Sequence, residues 1–253
     1  KQVIAVPGKG VKAKYKGEEI IIGNRKMMEN FPLKLIEPKI AELENLGNTV
    51  MLVALRNRVI GMVAVADTLK EFSKEAVEQL HKMKKEVIMI TGDNKRTAEA
   101  IARQVGIDKV LAEVLPEDKE KEVKKLQDAG EIVAFVGDGI NDAPALAQAD
   151  IGIAIGAGTD VALETGNIVL IKNDLRDVVT AIDLSAYTIR KIRQNLFWAF
   201  FYNTAGIPIA AGILYPFTGF LLNPIIAAAA MAFSSVSVVG NSLLMRLYKA
   251  KIK

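Results

Sequence analysis

The sequence predicts an α/β protein whose central part is a parallel sheet covered by helices on both faces. Short apolar, β-branched runs alternate with helical periodicity over residues 67–185, a pattern typical of parallel strands joined by crossover helices. Polar, glycine-containing turns follow these runs, as they do at the ligand-binding ends of parallel strands. A long charge-free stretch lies within residues 186–253. The chain therefore divides into three parts: 1–66, 67–185 and 186–253.

The first part predicts mixed α+β structure. The sequence indicates strands at 3–6, 11–15 and 20–22, a helix at 35–46, and a hairpin of strands at 49–55 and 59–65 around Asn57-Arg58. This part begins abruptly, at Lys1 and without an initiator Met. We therefore expect the chain to be part of a longer protein whose upstream residues complete this unit.

The second part alternates between helices and strands. Helices are predicted at 71–83, 95–105, 119–129, 144–148 and 174–193. Strands are predicted at 87–90, 110–111, 132–136, 151–155 and 168–171, with a short segment at 161–164 before the last of them. The final helix leads the chain toward the charge-free stretch.

Composition excludes several classes of function. The formal net charge is +4, and Lys and Glu are interleaved, so the chain lacks the basic patch expected of a partner for nucleic acid. It contains no Cys, so this stretch has neither a disulfide framework nor a thiolate metal site. His81, the only histidine, lies in a polar helical segment and is predicted to be a surface residue.

The most informative motif is the run from Gly137 to Asp142, which directly follows the predicted strand 132–136. Two carboxylates, Asp138 and Asp142, and the amide of Asn141 thus come just after a strand end. Oxygen ligands of this kind suit Mg²⁺, which usually bridges to phosphate. The alternative is an ordinary turn capped by Asp and Asn.

Two further signals follow other strands of the same predicted sheet. Thr91-Gly92-Asp93 comes after strand 87–90, where a hydroxyl can donate to a phosphate oxygen; alternatively, Asp93 or Asn94 caps the next helix. Lys119 begins a later helix and can neutralise phosphate charge, or it is one more solvated side chain. Phosphoryl transfer needs a hydroxyl or amide donor, a cation, a Mg²⁺ site and a nucleophile, and the first three are predicted here.

The third part predicts a membrane hairpin. No charged or histidine side chain occurs from Gln194 to Met245, which is enough for two spans of about 20 residues each, predicted at 196–214 and 224–245. The basic residues that flank the outer ends are Lys191, Arg193, Arg246, Lys249, Lys251 and Lys253. Positive charge on both sides places the two outer ends of the hairpin in the cytosol. We therefore expect the chain to be part of an integral membrane protein. The alternative is a buried helical hairpin in a soluble protein.

Both predicted spans carry polar side chains that an inert anchor does not need. Tyr202 and Asn203 lie in the first span, and Met231 and Ser235, four residues apart on one helix face, lie in the second. Without an intramembrane carboxylate, a thioether with neutral oxygen donors suits a soft, singly charged ion such as Cu(I). The alternative is helix packing, which also favours small and hydroxyl residues.

Taken in order, Thr91-Gly92-Asp93, the run from Pro116 to Lys119 and the run from Gly137 to Pro144 closely resemble the phosphorylation domain of P-type ATPases. That domain has a haloacid-dehalogenase-like, Rossmann-type fold. The resemblance implies that Gly92 and Asp93 belong to the catalytic motif.

Particular roles follow from the same resemblance. Asp138 and Asp142 are expected to hold Mg²⁺, Asn141 to support them, and Thr91 and Lys119 to contact the aspartyl phosphate. Asp67, in Asp67-Thr68-Leu69-Lys70, is expected to mark the hinge with a nucleotide-binding domain.

The outer parts also resemble this family. Gly8, Gly10, Gly23 and Asn24 are similar to residues of the ATP-binding domain of the heavy-metal branch, although turn glycines are the alternative interpretation. Tyr202-Asn203 and the Met231-x-x-x-Ser235 pattern resemble the transport signatures of copper-transporting members.

One departure is plain: the family's phosphorylated Asp-Lys-Thr-Gly-Thr sequence does not occur in this chain. The resemblance therefore implies a parent protein that uses ATP and Mg²⁺ to export Cu⁺, with this chain inactive by itself. Expected partners are membrane lipid, the remainder of the ATPase and a cytosolic copper carrier. Alternatives are a silver or other soft-metal pump, a soluble phosphatase of the same fold, and a non-enzymatic membrane-anchored binding module.

Overall fold

The computed structural model describes residues 3–15, 17–66, 69–138, 141–156, 166–219, 223–250 and 252, without the side chains at 15, 224–227, 229 and 230. Asp67 and the predicted segment at 161–164 lie outside these ranges. The chain divides into two compact units, Lys1–Val178 and Val179–Lys253.

The first unit begins with a five-stranded antiparallel sheet whose strand order follows the chain. Its strands are β1 (Val3–Val6), β2 (Gly10–Tyr15), β3 (Glu18–Gly23), β4 (Asn48–Leu55) and β5 (Arg58–Ala66). A short 3₁₀ helix (Arg25–Met28) and α1 (Glu37–Asn45) lie between β3 and β4. The predicted α+β part is thus confirmed in type and order.

The hairpin between β4 and β5 turns at Arg56-Asn57, one residue earlier than predicted. Both residues have positive φ, 49° and 64°, which is the signature of a two-residue type I′ turn. Along β4 alternate residues are buried: Leu52 is fully buried and packs in one core with Ile40 of α1. This alternation explains why the sheet has one covered face.

The rest of the first unit alternates between helices and parallel strands, as predicted. The helices are α2 (Ser73–Lys82), α3 (Lys95–Val105), α4 (Lys119–Asp128) and α5 (Ala143–Gln148). The strands are β6 (Ile88–Ile90), β7 (Lys109–Leu111), β8 (Ala134–Gly137), β9 (Ile151–Ile155) and β10 (Ile168–Leu170).

We expected one continuous parallel sheet, and the pairing is divided. Strands β10, β9 and β8 form one parallel group and β6 and β7 another. Side-chain packing joins the two groups, because Ile90 of β6 packs against the core that contains Val123, Phe135 and Leu146. The end of β6 therefore lies close to the layer that carries β8.

A charged cluster that the sequence did not reveal joins α1 to α3. Glu44 is only 2% exposed, and its carboxylate accepts hydrogen bonds from Arg25 Nε at 3.0 Å and Arg25 Nη2 at 2.9 Å. Arg96 of α3 approaches the same carboxylate at 3.3 Å. Because a buried carboxylate requires charged partners, Glu44 holds both arginines in place. The available signal was that Glu44 follows the core residue Ile40 by one helical turn.

The second unit is helical, and the helix leading into it is longer than predicted. The helices are α6 (Leu175–Ala210), α7 (Tyr215–Thr218) and α8 (Pro224–Leu243), followed by a 3₁₀ turn (Leu244–Leu247). The predicted helix 174–193 and the predicted span 196–214 are largely one continuous helix, since no Gly or Pro separates them. Within the ranges given above, no helix is both long enough and apolar enough to cross a bilayer, so the two predicted spans are not confirmed.

Replacing Gly10 with Ala is expected to lower the free energy of unfolding by about 2 kcal/mol or more. A Cβ at this position, where φ is +150°, would lie 2.2 Å from the backbone oxygen of Ile22. Gly61→Ala is the matched control, because nothing lies within 4 Å of its added Cβ. Urea denaturation of the two variants measures the difference, and equal destabilisation would contradict the close approach of β2 and β3.

Acid is expected to destabilise the first unit partly through Glu37. The hydrogen bond from Arg25 lowers the pKa of the Glu37 carboxyl below its ordinary value of 4.5. A carboxyl whose pKa is lower in the folded state stabilises that state above its unfolded pKa, and the stabilisation disappears as the pH falls through the folded pKa. The urea midpoint should therefore fall less steeply below about pH 4.5 in Glu37→Gln than in the parent chain.

Glu42→Gln provides the comparison for this acid titration. Glu42 is also on α1, but its ion pair with Lys39 is 58% exposed on both sides. If the urea midpoint depends on pH in the same way in Glu37→Gln as in Glu42→Gln, Glu37 is not a source of the acid destabilisation.

Candidate functional site

The turn after β8 places the acidic motif at the start of a short helix. Asp138 follows β8 and is exposed, and Asp142 immediately precedes α5. The side chain of Asp142 does not cap α5, although its backbone carbonyl accepts the Leu146 N–H at 2.8 Å. The carboxylate is therefore committed to something other than the ordinary capping role.

That partner is Lys119, at the start of α4. Its Nζ lies 2.6 Å from Asp142 Oδ1, with the two side chains 18% and 14% exposed. The pair joins residues 23 positions apart and resolves the alternative that Lys119 is a solvated side chain. The positively charged ammonium group of Lys119 is thus held at the carboxyl end of β8.

Gly137 makes room for this arrangement. A Cβ added there would lie 2.6 Å from Asp142 Oδ2 and 2.8 Å from Asp142 Cβ. Cβ atoms in proteins essentially never lie so close to other non-bonded heavy atoms. The close packing of the Asp142 carboxylate on β8 therefore requires glycine at position 137.

The second motif forms its own small network at the end of β6. The Thr91 hydroxyl donates to Asp93 Oδ2 at 2.7 Å and accepts the Asp93 N–H at 3.1 Å. Thr49 also donates to the Asp93 carboxylate, at 3.4 Å. Asn94, rather than Asp93, caps α3, since its Oδ1 accepts the Thr97 N–H at 3.0 Å. Asp93 therefore orients the Thr91 hydroxyl, and the capping alternative applies to Asn94 alone.

The two motifs share a core. Ile90 immediately precedes Thr91 and packs against the cluster that contains Phe135 of β8. Among the side chains that the structure describes, no hydrogen bond or ion pair connects Thr91 directly with Lys119 or Asp142. A phosphate between them would be the natural bridge, because it accepts from hydroxyl and ammonium groups alike.

The acidic side chains fit an incomplete Mg²⁺ site. In the described part of the chain, no group of three or more His, Cys, Asp or Glu side chains could hold a metal ion. Asp138 and Asp142 are two carboxylates near one strand end. Since Mg²⁺ is usually held by one or two carboxylates together with phosphate and water, these residues suit a site completed by a phosphorylated group.

The predicted nucleotide-binding residues come together in one turn. Gly10 pairs with Gly23 across β2 and β3, and an added Cβ at Gly23 would lie 2.5 Å from the Lys9 oxygen. Asn24 Oδ1 accepts the Met27 N–H at 3.1 Å, and its Nδ2 donates to the Gly8 oxygen at 2.9 Å. These contacts give the residues a structural role, and nucleotide binding stays a prediction.

The predicted transport residues lie on two helices, Tyr202 and Asn203 on α6 and Met231 and Ser235 on α8. Asn203 Nδ2 donates to the Ala199 oxygen at 2.9 Å, and Ser235 Oγ to the Met231 oxygen at 3.4 Å. These polar groups are thus bonded within their own helices, and Met231 is 72% exposed. No hydrogen bond connects Tyr202 or Asn203 with Met231 or Ser235 in the part of α8 whose side chains are described.

A Rossmann-like layer with an acidic turn and a paired lysine at one strand end defines a class of phosphoryl-transfer and phosphate-hydrolysing domains. The family model of haloacid dehalogenase-like hydrolases matches residues 2–150. The chain therefore belongs to the haloacid dehalogenase-like hydrolase family.

Individual relatives confirm the resemblance to P-type ATPases. The chain is 55% identical to a probable copper-exporting P-type ATPase of Archaeoglobus fulgidus, with 100% of this chain and 31% of that protein covered. It is 52% identical to a copper-exporting P-type ATPase of Staphylococcus saprophyticus, with 97% and 30% covered. The chain thus spans about a third of the length of these curated relatives.

A solved structure extends the likeness to the fold. The crystal structure of a zinc-transporting PIB-type ATPase in its E2.Pi state matches with a TM-score of 0.69 and 37% identity, covering 96% of this chain and 38% of that one. The predicted haloacid-dehalogenase-like fold is confirmed.

The coupling free energy between Lys119 and Asp142 is expected to be about 1–2 kcal/mol, between the values typical of exposed and of buried ion pairs. A double-mutant cycle with Lys119→Met and Asp142→Asn, read out by urea denaturation, measures it. The matched cycle uses Lys39 and Glu42, whose side chains are each 58% exposed, and should give less than about 0.5 kcal/mol. Similar coupling in the two cycles would contradict the geometry.

Proposed function

We propose that this chain is part of a copper-exporting P-type ATPase that couples ATP hydrolysis to metal export through an aspartyl phosphate. The observation that carries the proposal is the Lys119–Asp142 pair, held at 2.6 Å over Gly137 at the end of β8. An ammonium and a carboxylate at this position provide charge neutralisation and a Mg²⁺ ligand beside the same phosphate. The identities of 55% and 52% to copper-exporting relatives support the choice of metal.

Each site residue has a defined task in this proposal. Lys119 neutralises a phosphate oxygen, while Asp138 and Asp142 hold Mg²⁺, which supplies further charge neutralisation. The Thr91 hydroxyl donates a hydrogen bond to the phosphate. Its present hydrogen bond to Asp93, at 2.7 Å, must break when the bond to the phosphate forms. Asp93 then acts as the acceptor that keeps the hydroxyl oriented in the phosphate-free state.

The phosphorylated aspartate is supplied by another part of the parent protein, because no Asp-Lys-Thr-Gly-Thr sequence occurs in this chain. The rest of the parent also provides the other half of the nucleotide site, opposite Gly8, Gly10, Gly23 and Asn24. In this proposal Asp67 marks the hinge between the nucleotide-binding domain and the phosphorylation domain. The chain alone should therefore acquire no acid-stable label from γ-labelled ATP.

The metal pathway uses Tyr202, Asn203, Met231 and Ser235. A thioether and neutral oxygen donors favour a soft, singly charged ion over a hard divalent one, and the same set also suits Ag⁺. In this proposal the parent is an integral membrane protein in contact with lipid. Both ends of the chain lie in the cytosol, where a copper carrier delivers the ion.

Metal-stimulated ATP hydrolysis by the full-length parent tests the function. Met231→Ala and Ser235→Ala should each raise the Cu⁺ concentration for half-maximal stimulation by about tenfold, the equivalent of about 1.4 kcal/mol of lost binding. Ser237→Ala is the control, because Ser237 also bonds within its helix, to the Phe233 oxygen at 2.8 Å. Stimulation of the wild type by Zn²⁺ but not by Cu⁺ would overturn the choice of metal.

A further inference from the structure

A row of polar contacts joins the middle of α6 to the end of α8 and the residues that follow. Asn241 is its centre: it accepts from Lys191 Nζ at 2.8 Å and donates to Asn195 Oδ1 at 2.7 Å. Asn195 in turn donates to Ser242 Oγ at 2.8 Å. We call this row the polar ladder; its members are Asp183, Lys191, Asn195, Asn241, Ser242 and Tyr248.

The far end of the polar ladder is a buried acid and a tyrosine. Asp183 is 5% exposed, and its Oδ2 accepts the Tyr248 hydroxyl at 2.9 Å. Burial, together with the hydrogen bond to Asp183 and the charge of Asp183, raises the pKa of Tyr248 to about 12. The tyrosine therefore stays a hydrogen-bond donor throughout the physiological pH range. The Tyr248 ring also packs on Tyr187, with centroids 5.2 Å apart.

The contacts run in opposite directions along the two segments. Asp183 meets Tyr248, whereas Asn195, twelve residues later on α6, meets Asn241 and Ser242. The two segments are therefore antiparallel, with an axial register that the polar ladder defines.

This register aligns the proposed metal donors. Asn203 lies eight residues beyond Asn195 on α6, and the midpoint of Met231 and Ser235 lies eight residues before Asn241 on α8. At 1.5 Å of rise per residue, both displacements are about 12 Å along the helix axes. The two donor pairs thus lie at the same level, measured from the polar ladder.

In the donor-bearing parts of the helices, the polar side chains that the structure describes do little to define this register. The described polar side chains there, such as Asn203, Ser235 and Ser237, bond to carbonyls of their own helix. Apolar contacts are non-directional, and helices joined by them alone can slip. Polar pairs between helices are the best-attested devices for specifying helix register, and the bonds of Asn241 with Lys191 and Asn195 are partly buried.

We propose that the polar ladder is a register pin, and that Asn195, Asn241, Asp183 and Tyr248 are positioning residues for the soft-metal site. They do not touch the metal; they hold α6 and α8 so that Tyr202-Asn203 and Met231-Ser235 face the same ion. This role rests on the proposed metal-export function, whereas the setting of the register does not depend on it.

The register itself is tested on this chain without metal. Since the chain contains no Cys, spin labels at Phe200→Cys and Phe233→Cys, where the native side chains are 67% and 64% exposed, report one distance by pulsed electron paramagnetic resonance in lipid nanodiscs. The doubly labelled chain should give one narrow distribution. Asn241→Leu and, to a smaller extent, Tyr248→Phe should broaden it or shift it by up to one helical turn, about 5 Å.

Tyr215→Phe is the control for the loss of a tyrosine hydroxyl, because Tyr215 lies outside the polar ladder and is 54% exposed. It should leave the distance distribution unchanged. An unchanged distribution in Asn241→Leu and Tyr248→Phe, with helicity retained by circular dichroism, would overturn the register pin.

The consequence for metal is tested on the full-length parent by competition with a chromophoric Cu⁺ chelator, which requires no turnover. Asn241→Leu should weaken Cu⁺ binding by about tenfold and Tyr248→Phe by a few-fold, the range expected for lost hydrogen bonds. Wild-type affinity in a variant whose register has shifted would overturn the positioning role. A wild-type parent that binds no Cu⁺ would refute the proposed function, while the spin-label distances still decide whether the register pin exists.

Discussion

The ion pair between Lys119 and Asp142 is the interaction on which the candidate site depends. It connects the start of α4 with the turn after β8 at 2.6 Å, and three features hold it in place. Gly137 leaves the space that the carboxylate occupies. The 3₁₀ turn Pro116–Asp118 sets where Lys119 begins α4, and Val123 and Phe135 share one core under α4 and β8. Because the pair is mostly shielded from water, its charges would act on a phosphate bound there more strongly than surface charges would.

A second constraint, close backbone approach, recurs in the first unit. Gly10 and Gly23 are required where β2, β3 and the following turn meet, and Gly137 is required beneath Asp142. In each place the space that a side chain would need is filled by the protein itself. Glycine therefore has a structural function here before any ligand is considered, and the same geometry brings Asn24 and Asp142 to the positions where they are proposed to act.

The helical unit follows a different principle. Its exposed side chains are largely apolar or aromatic, among them Phe197, Phe201 and Val236. Apolar contacts are non-directional and do not by themselves define how two helices are aligned. Directional bonds at Asn195, Asn241 and Asp183 do so at one end. The metal binding proposed for the donor side chains farther along α6 and α8 therefore depends on an alignment of the two helices that is set by bonds about 12 Å away.

The sequence by itself determined the types and order of the elements in the first unit and the motifs of the candidate phosphate site, because periodicity, glycine turns and residues after strand ends are local properties of the chain. Helix α3 begins and ends where predicted, at Lys95 and Val105. Tertiary structure alone decided that Lys119 pairs with Asp142, that Asp93 orients Thr91, and that Glu44 is buried between two arginines. It also decided the division of the parallel sheet. Apart from the bond between Thr91 and Asp93, which are two positions apart, these contacts join residues far apart in sequence. Their partners depend on packing and close approach in three dimensions, which the local sequence pattern does not encode.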